Sequence, residues 1–356
     1  MEKGDPPAMT HLTGRRRRKT ISRGMLPLLF ALGAVACEAP PPGEEPPLEE
    51  AAGVDPDASA EDLVRTADPF ERGYTEDDFP RVQELAEGVY SYEQLRSAGD
   101  ELFTTVSFIV VTEEGVLVAD GQGNLEETER LVEEVGRLTD QPITHVVISS
   151  DHGDHTSGNA AFPDDAEVIA HPVSAKALIA MNEGRGDEQP PIPEATWIVE
   201  EDVTELELGG RQVELHYLGP AHTGGDLVVY LPEERILFMS ETFLPRIFPA
   251  MRTAHPSEWA RMLERAQAMD VNHYIPGHGF VDPPEVLEEE LEVFRRAVVQ
   301  VTEEVERLHG QGLSLEEAQE AADFGELEEW SLVSSQGSVA VQQVYRELDE
   351  ELPDLP

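Results

Sequence analysis

Cysteine is almost absent from this chain. Its 356 residues contain one, Cys37, so no internal disulfide can form. Lysine is nearly as scarce, at Lys3, Lys19 and Lys176, and arginine supplies the other basic side chains. With 25 basic against 73 acidic residues, the formal charge is -48. So acidic a chain repels nucleic-acid phosphates, which argues against a DNA or RNA partner. The acid is spread along the sequence and makes a strongly hydrated surface, favoured where salt screens self-repulsion. A saline habitat or a high-GC genome explains both biases. The apolar stretch at 25–36 (MLPLLFALGAVA) is too short to span a bilayer. No internal repeat is visible. The length suffices for one large α/β domain with a well-buried core, or two small ones.

What is present begins with an export pattern. Arg15 to Lys19 form a basic region, residues 25–36 an apolar one, and Ala34-Val35-Ala36 lead into Cys37. This resembles a bacterial lipobox. The resemblance implies a signal peptide over 1–37, lipidation of Cys37, and a periplasmic protein touching membrane only through its lipid. Glu38 after the cysteine implies the outer membrane. The alternative is an ordinary signal peptide with an incidental cysteine. Met9 is a second possible start, and Arg17-Arg18 a partial twin-arginine pattern. Residues 38–80, rich in Pro, Glu, Asp and Ala, read as an extended charged tether.

From Val82 the texture changes. Residues 105–111 (TVSFIVV) and 115–119 (GVLVA) read as a hairpin, 125–138 as a helix and 143–149 as a strand. Strands at 166–170, 204–208, 212–217, 227–231, 236–239 and 273–275 alternate with helices at 173–181 and 259–268. Single helices between strand pairs suggest a layered α/β sandwich. A long amphipathic helix follows at 284–309. Another starts at Leu315, with Ser314 as N-cap and Glu317 three residues on, and a last one lies near 338–349. The domain is expected over 81–300, with 301–356 a helical extension packed on it.

The chemistry-bearing residues sit where strands end. Residues 143–149 run into Ser150-Asp151-His152-Gly153-Asp154-His155. His152, Asp154 and His155 offer imidazole and carboxylate ligands suited to zinc, and less specifically to iron or manganese. His222, Glu241 and His278 each follow a separate later strand. Ligands on separate strand-end loops are what open α/β sites use.

Taken together, residues 152–155, GPAHTGGDLVVYLPEERILF (219–238), IPGHG (275–279) and Asp120 after GVLVA resemble the metallo-β-lactamase superfamily over roughly 82–300. The resemblance implies a four-layer αββα sandwich with mixed sheets and a metal site at one edge. It also implies His-x-His-x-Asp-His as first motif and a bridging aspartate; here Ser150 replaces the first histidine and Glu241 the aspartate. One metal position, Asp154, His155, His278 and Glu241, is then complete. The other keeps His152 and His222 with a share of Glu241, and is expected to hold metal weakly or not at all. Asp151 is a weaker substitute for the lost histidine. Asp120 would fix the metal loop by hydrogen bonds. Zinc lowers the pKa of its water from ~15.7 to ~7, so hydroxide can attack at neutral pH, with Asp154 orienting the water and shuttling its proton.

The expected activity is hydrolysis of a small ester, lactone, thioester or amide, β-lactams included. Because the fold hosts many chemistries, the family name does not fix the substrate. Well-studied lactamases hold a substrate carboxylate with a lysine three residues after the bridging ligand. Leu244 stands there in this chain, so a cationic clamp would fall to Arg246 or Arg252. The leading alternative is a non-catalytic metal- or ligand-binding descendant; a sulfur- or quinone-related oxidoreductase is a third reading. His145, His171, His216, His255, His273, His309 and the tryptophans read as structural, and residues 243–251 as packing or a cleft wall.

Overall fold

The computed structural model describes residues 63–186, 189–353 and 355. The expectations for the signal peptide, Cys37 and the tether up to residue 62 lie outside the described residues.

Two sheets carry the architecture. In the first, β1 (Arg81–Ala86), β2 (Val89–Ala98), β3 (Glu101–Thr112), β4 (Gly115–Ala119), β5 (Ile143–Val147), β6 (Glu167–Ala170) and β7 (Trp197–Ile198) lie side by side in chain order. Pairing is antiparallel as far as β4 and parallel beyond it. In the second, the order is β12-β11-β10-β9-β8, from β8 (Val203–Leu208), β9 (Arg211–His216), β10 (Val228–Leu231), β11 (Ile236–Ser240) and β12 (His273–Pro276). Only β11 and β12 run parallel there. The helices are α1 (Leu125–Leu138), α2 (Gly153–Thr156), α3 (Pro172–Gly184), α4 (Pro256–Gln267), α5 (Pro284–Gly310), α6 (Leu315–Ala321) and α7 (Val333–Leu348).

Side-chain alternation sorts these into four layers. Val106, Phe108 and Val110 of β3 face the second sheet, where the Phe108 and Phe238 rings stack at 5.4 Å. Ile109 turns the other way, onto Leu131 and Val135 of α1. A strand buried on both faces carries the unbroken apolar run seen at 105–111. Asn124 starts α1 by accepting the Glu127 N–H. On the outer face of the second sheet, α5 buries Leu287, Leu291, Phe294, Val298, Val301, Val305 and Leu308, a stripe at alternating four- and three-residue steps. The result is the expected αββα sandwich.

Two expectations are corrected, and one element is added. The tether does not extend to residue 80. Ala67 is fully buried, Arg72 forms a two-pronged ion pair with Asp282 (2.7 Å each), and Tyr74 stacks on Phe280. Pro- and acid-rich composition concealed these few anchoring side chains. The boundary at 300 falls inside α5, which runs unbroken from Pro284 to Gly310. The β1–β2 hairpin was not legible because charged residues interrupt its alternation. Glu93 of β2 is buried, held by Arg81 (2.9 Å) and Gln83 (2.6 Å).

Candidate metal centre

Each strand that ends at this edge delivers one piece. β4 ends in Asp120, with φ +61, and β11 ends in Ser240, with φ +48. Left-handed backbone at non-glycine residues is costly and persists where surroundings hold it. Here the two are locked together: the Ser240 hydroxyl donates to Asp120 Oδ2. Asp120 Oδ1 accepts the Ser149 and Ser150 N–H groups (2.8 and 3.3 Å), and His155 Nδ1 lies 3.1 Å from Oδ2. Asp120 therefore ties β4, β5 and β11 together and sets its carboxylate beside His155 Nδ1.

β12 is brought equally close. The Gly277 N–H donates to Ser240 O (2.8 Å) and its carbonyl accepts from Val106 (2.8 Å). A Cβ on Gly277 would lie 2.3 Å from the Ser240 carbonyl carbon, so only glycine fits. That contact seats His278 beside Glu241. His278 Nδ1 donates to the Thr104 carbonyl (2.9 Å), which leaves its Nε2 as a lone pair facing inward.

The result is two groups of donors that share one carboxylate. Asp154, His155, His278 and Glu241 form the first, and His152, His222 and Glu241 the second. In the first group, His278 Nε2 lies 3.3 Å from His155 Nε2, 3.2 Å from Asp154 Oδ2 and 3.3 Å from Glu241 Oε1. His278 carries its hydrogen on the far nitrogen, and His155 turns its Nδ1 toward the Asp120 carboxylate. In their neutral form, two lone pairs and two carboxylates then converge with no hydrogen between them. That set requires a cation, a metal ion or added protons, and its ligand types suit zinc. In the second group, His152 Nε2 contacts Thr253 Oγ1 (2.7 Å), and its Nδ1 lies 2.9 Å from His222 Nε2 and 3.1 Å from Glu241 Oε2. Ser150 donates its hydroxyl to Glu241 Oε2. The serine thus orients the shared carboxylate and is not itself among the converging donors. Asp151 stands outside both groups.

Electrostatics follow from burial and these partners. Burial pulls His278 down, but hydrogen bonds and charge from Asp154 and Glu241 outweigh it and push it up to about 10. His152 is pushed up to about 9, burial being overcome by Glu241. Burial would raise Glu241, yet His222, His152 and His155 hold it well below the usual carboxylate range. Asp154 is lowered too: His278 outweighs burial and the Glu241 charge. Burial lowers His222.

The sequence-derived site residues therefore meet at one edge. Four positioning residues were not foreseen: Thr253, Thr104, Ser240 and Gly277. Only Gly277 had a local signal, the glycine before His278. Arg246, one of the expected cations, turns away and grips Glu290 at 2.7 and 2.8 Å. His171 caps α3 and stacks on Tyr217, apart from the donors.

Comparison with known proteins agrees with this arrangement. The family model described as the metallo-beta-lactamase superfamily matches residues 99–278. The 2,4-dinitroanisole O-demethylase subunit alpha of Nocardioides sp. (strain JS1661) is 31% identical over 39% of this chain and 41% of its own length. A metallo-beta-lactamase type 2 of Bacillus sp. (strain 170) is 24% identical over 56% of this chain and 76% of its own. The solved metallo-beta-lactamase from Pontibacter korlensis superposes with a TM-score of 0.52 at 22% identity, over 60% of this chain and 98% of that one. The match leaves the C-terminal helices outside the family segment, while every candidate metal donor falls within it: the chain belongs to the metallo-beta-lactamase superfamily.

Proposed function

We propose that the protein is a metal-dependent hydrolase of a small ester, lactone, thioester or amide, with β-lactams among the substrates to be tried. The observation that carries this reading is the convergence of lone pairs from His155, His278, Asp154 and Glu241. These four would hold one ion tightly. His152, His222 and the other side of Glu241 offer three donors, and Ser150 adds none, so a second ion would be held weakly. Zinc is the preferred ion, with iron or manganese as substitutes. When bound, such an ion supplies Lewis acidity toward water and toward a carbonyl.

The chain's own residues do the rest. Asp120 places a negative charge 3.1 Å from His155 Nδ1, which favours the tautomer whose Nε2 lone pair faces the ion. Ser150 and His152 set the direction of the Glu241 carboxylate. Asp154 borders the open cleft, and its ionised carboxylate is an acceptor placed to orient a water and receive its proton. Relatives bearing the names metallo-beta-lactamase and O-demethylase support bond cleavage on small molecules. Export and lipidation at Cys37 belong to the same proposal and place the substrate in the periplasm.

Metal analysis of the purified chain, with a panel of chromogenic cephalosporin, lactone, thioester and ester substrates, tests the reading. One tightly held ion is expected, with turnover that Asp154→Ala abolishes. Two tight ions would overturn the asymmetry. No turnover at any zinc, iron or manganese loading would overturn the hydrolase and favour a metal-binding role.

A further inference from the structure

We infer that the cleft beside these donors seats a small amphiphile, its apolar part held by α7 and its anionic group by Arg252. The inference rests on the hydrolytic reading only in calling that amphiphile the substrate.

The cleft is about 350 Å³, the size of a small-molecule site. Asp154, Glu241 and His278 line its floor. Phe103 of β3 with Leu244 and Ile247, which follow Glu241, give one apolar part of the lining, and Leu332 and Val339, with Gln336 between them, give another. The last three recur at helical spacing, so one face of α7 and its cap forms the wall. This wall lies wholly beyond the family segment, which ends at 278. What it selects is therefore a property of this chain.

The wall is held firmly. Leu332 takes φ +67, a conformation a leucine adopts only under constraint, and its N–H donates to Glu101 (3.0 Å). Ser331 bonds both ways with the segment before Arg252, to Arg246 O (3.2 Å) and Phe248 N (2.9 Å). Gln343, buried in α7, donates to Ala254 O just after it (2.7 Å). The helix that shapes the apolar wall thus also fixes both ends of the loop that carries Arg252.

Arg252 supplies the charge. It is exposed at the cleft's lip. Arg246 is engaged by Glu290, and Arg96 lies between Glu127 and Asp154 at 3.6 and 3.7 Å. Arg252 has no ion pair among the described residues. In a chain of net charge -48, a guanidinium outside any ion pair, at the lip of a cleft of mixed polar and apolar lining, marks where an anionic head would sit.

Calorimetric titration of the full chain with octanoate, butyrate and 1-octanol tests this, in zinc-loaded and in chelator-treated protein. Octanoate is expected to bind tighter than butyrate by about threefold to fourfold per added methylene that reaches the wall. Arg252→Gln should weaken octanoate on the order of tenfold and leave octanol unchanged. Val339→Trp should block both, and Gln336→Trp, at a half-buried position, repeats that test should the first variant not fold. Equal octanoate affinity in the wild type and Arg252→Gln, or unaltered binding in a folded tryptophan variant, overturns the inference. These differences are read in chelator-treated protein as well. They persist if the metal hydrolase reading alone fails, and they vanish if only the amphiphile seat is wrong.

Discussion

Asp120→Asn isolates the support of the metal centre from its ligands. The substitution preserves shape, and asparagine tolerates the left-handed backbone at this position. In the wild type, three donors bond to two oxygens, Ser149 and Ser150 N–H on Oδ1 and the Ser240 hydroxyl on Oδ2, and His155 Nδ1 lies 3.1 Å from Oδ2. An amide has one oxygen and one NH₂. If the NH₂ faces Oδ1's partners, two backbone N–H groups, fixed in place, confront it. If it faces His155, the imidazole must move its hydrogen to Nε2, the atom that faces His278 and Glu241. The second arrangement costs less, because a tautomer can switch and a backbone amide cannot. Zinc affinity is then expected to fall about 10- to 100-fold, or roughly 1.4 to 2.7 kcal/mol. Competition against a chromophoric chelator measures this, and nitrogen NMR of His155 reads the tautomer directly. Unchanged affinity, or a His155 that keeps its hydrogen on Nδ1, would refute the reasoning.

Four further outcomes are expected. Gly277→Ala places a methyl against Ser240 and should cost about 1–3 kcal/mol in a urea melt while loosening zinc, since His278 and Glu241 separate. Zinc uptake at the tight position at pH 7 should release about one proton, because His278 is pushed up to about 10; titrations in buffers of different ionisation enthalpy count it. Arg72→Met strands the half-buried Asp282 carboxylate and should destabilise by about 1–3 kcal/mol, whereas a tether residue would cost nothing. His171, lowered by burial to about 4, is neutral in the folded state, so stability should drop as pH falls from about 6.5 to about 4, by up to about 3 kcal/mol; His171→Asn keeps the helix cap and should lose that pH dependence.

The sequence was most legible where one periodicity acted alone. Helix α1 lies at the expected residues because its apolar stripe and the Asn124 cap agree. The capping box of Ser314 and Glu317 is likewise present. The strand-end histidines were readable because their ligand character does not depend on context. The β1–β2 hairpin was not, since its alternation is broken by residues that pay for their burial in pairs, such as Arg81 with Glu93. Nor could the roles of Ser150, Ser240 and Thr253 be read, because a hydroxyl's function depends on what lies across from it. Arg246 and Arg252 looked alike as cations; Glu290, 44 residues from Arg246, separates them.

The split of donors between the sheets has a consequence for assembly. Asp154, His155 and His152 follow β5 of one sheet, and His222, Glu241 and His278 come from the other. Neither donor group is complete until the two sheets have closed on each other. A bound ion would act as a rivet across that seam, adding its binding free energy to global unfolding and nothing to either half alone. Occupancy would then report whether the sandwich has formed, and metal removal would lower the stability of the folded chain.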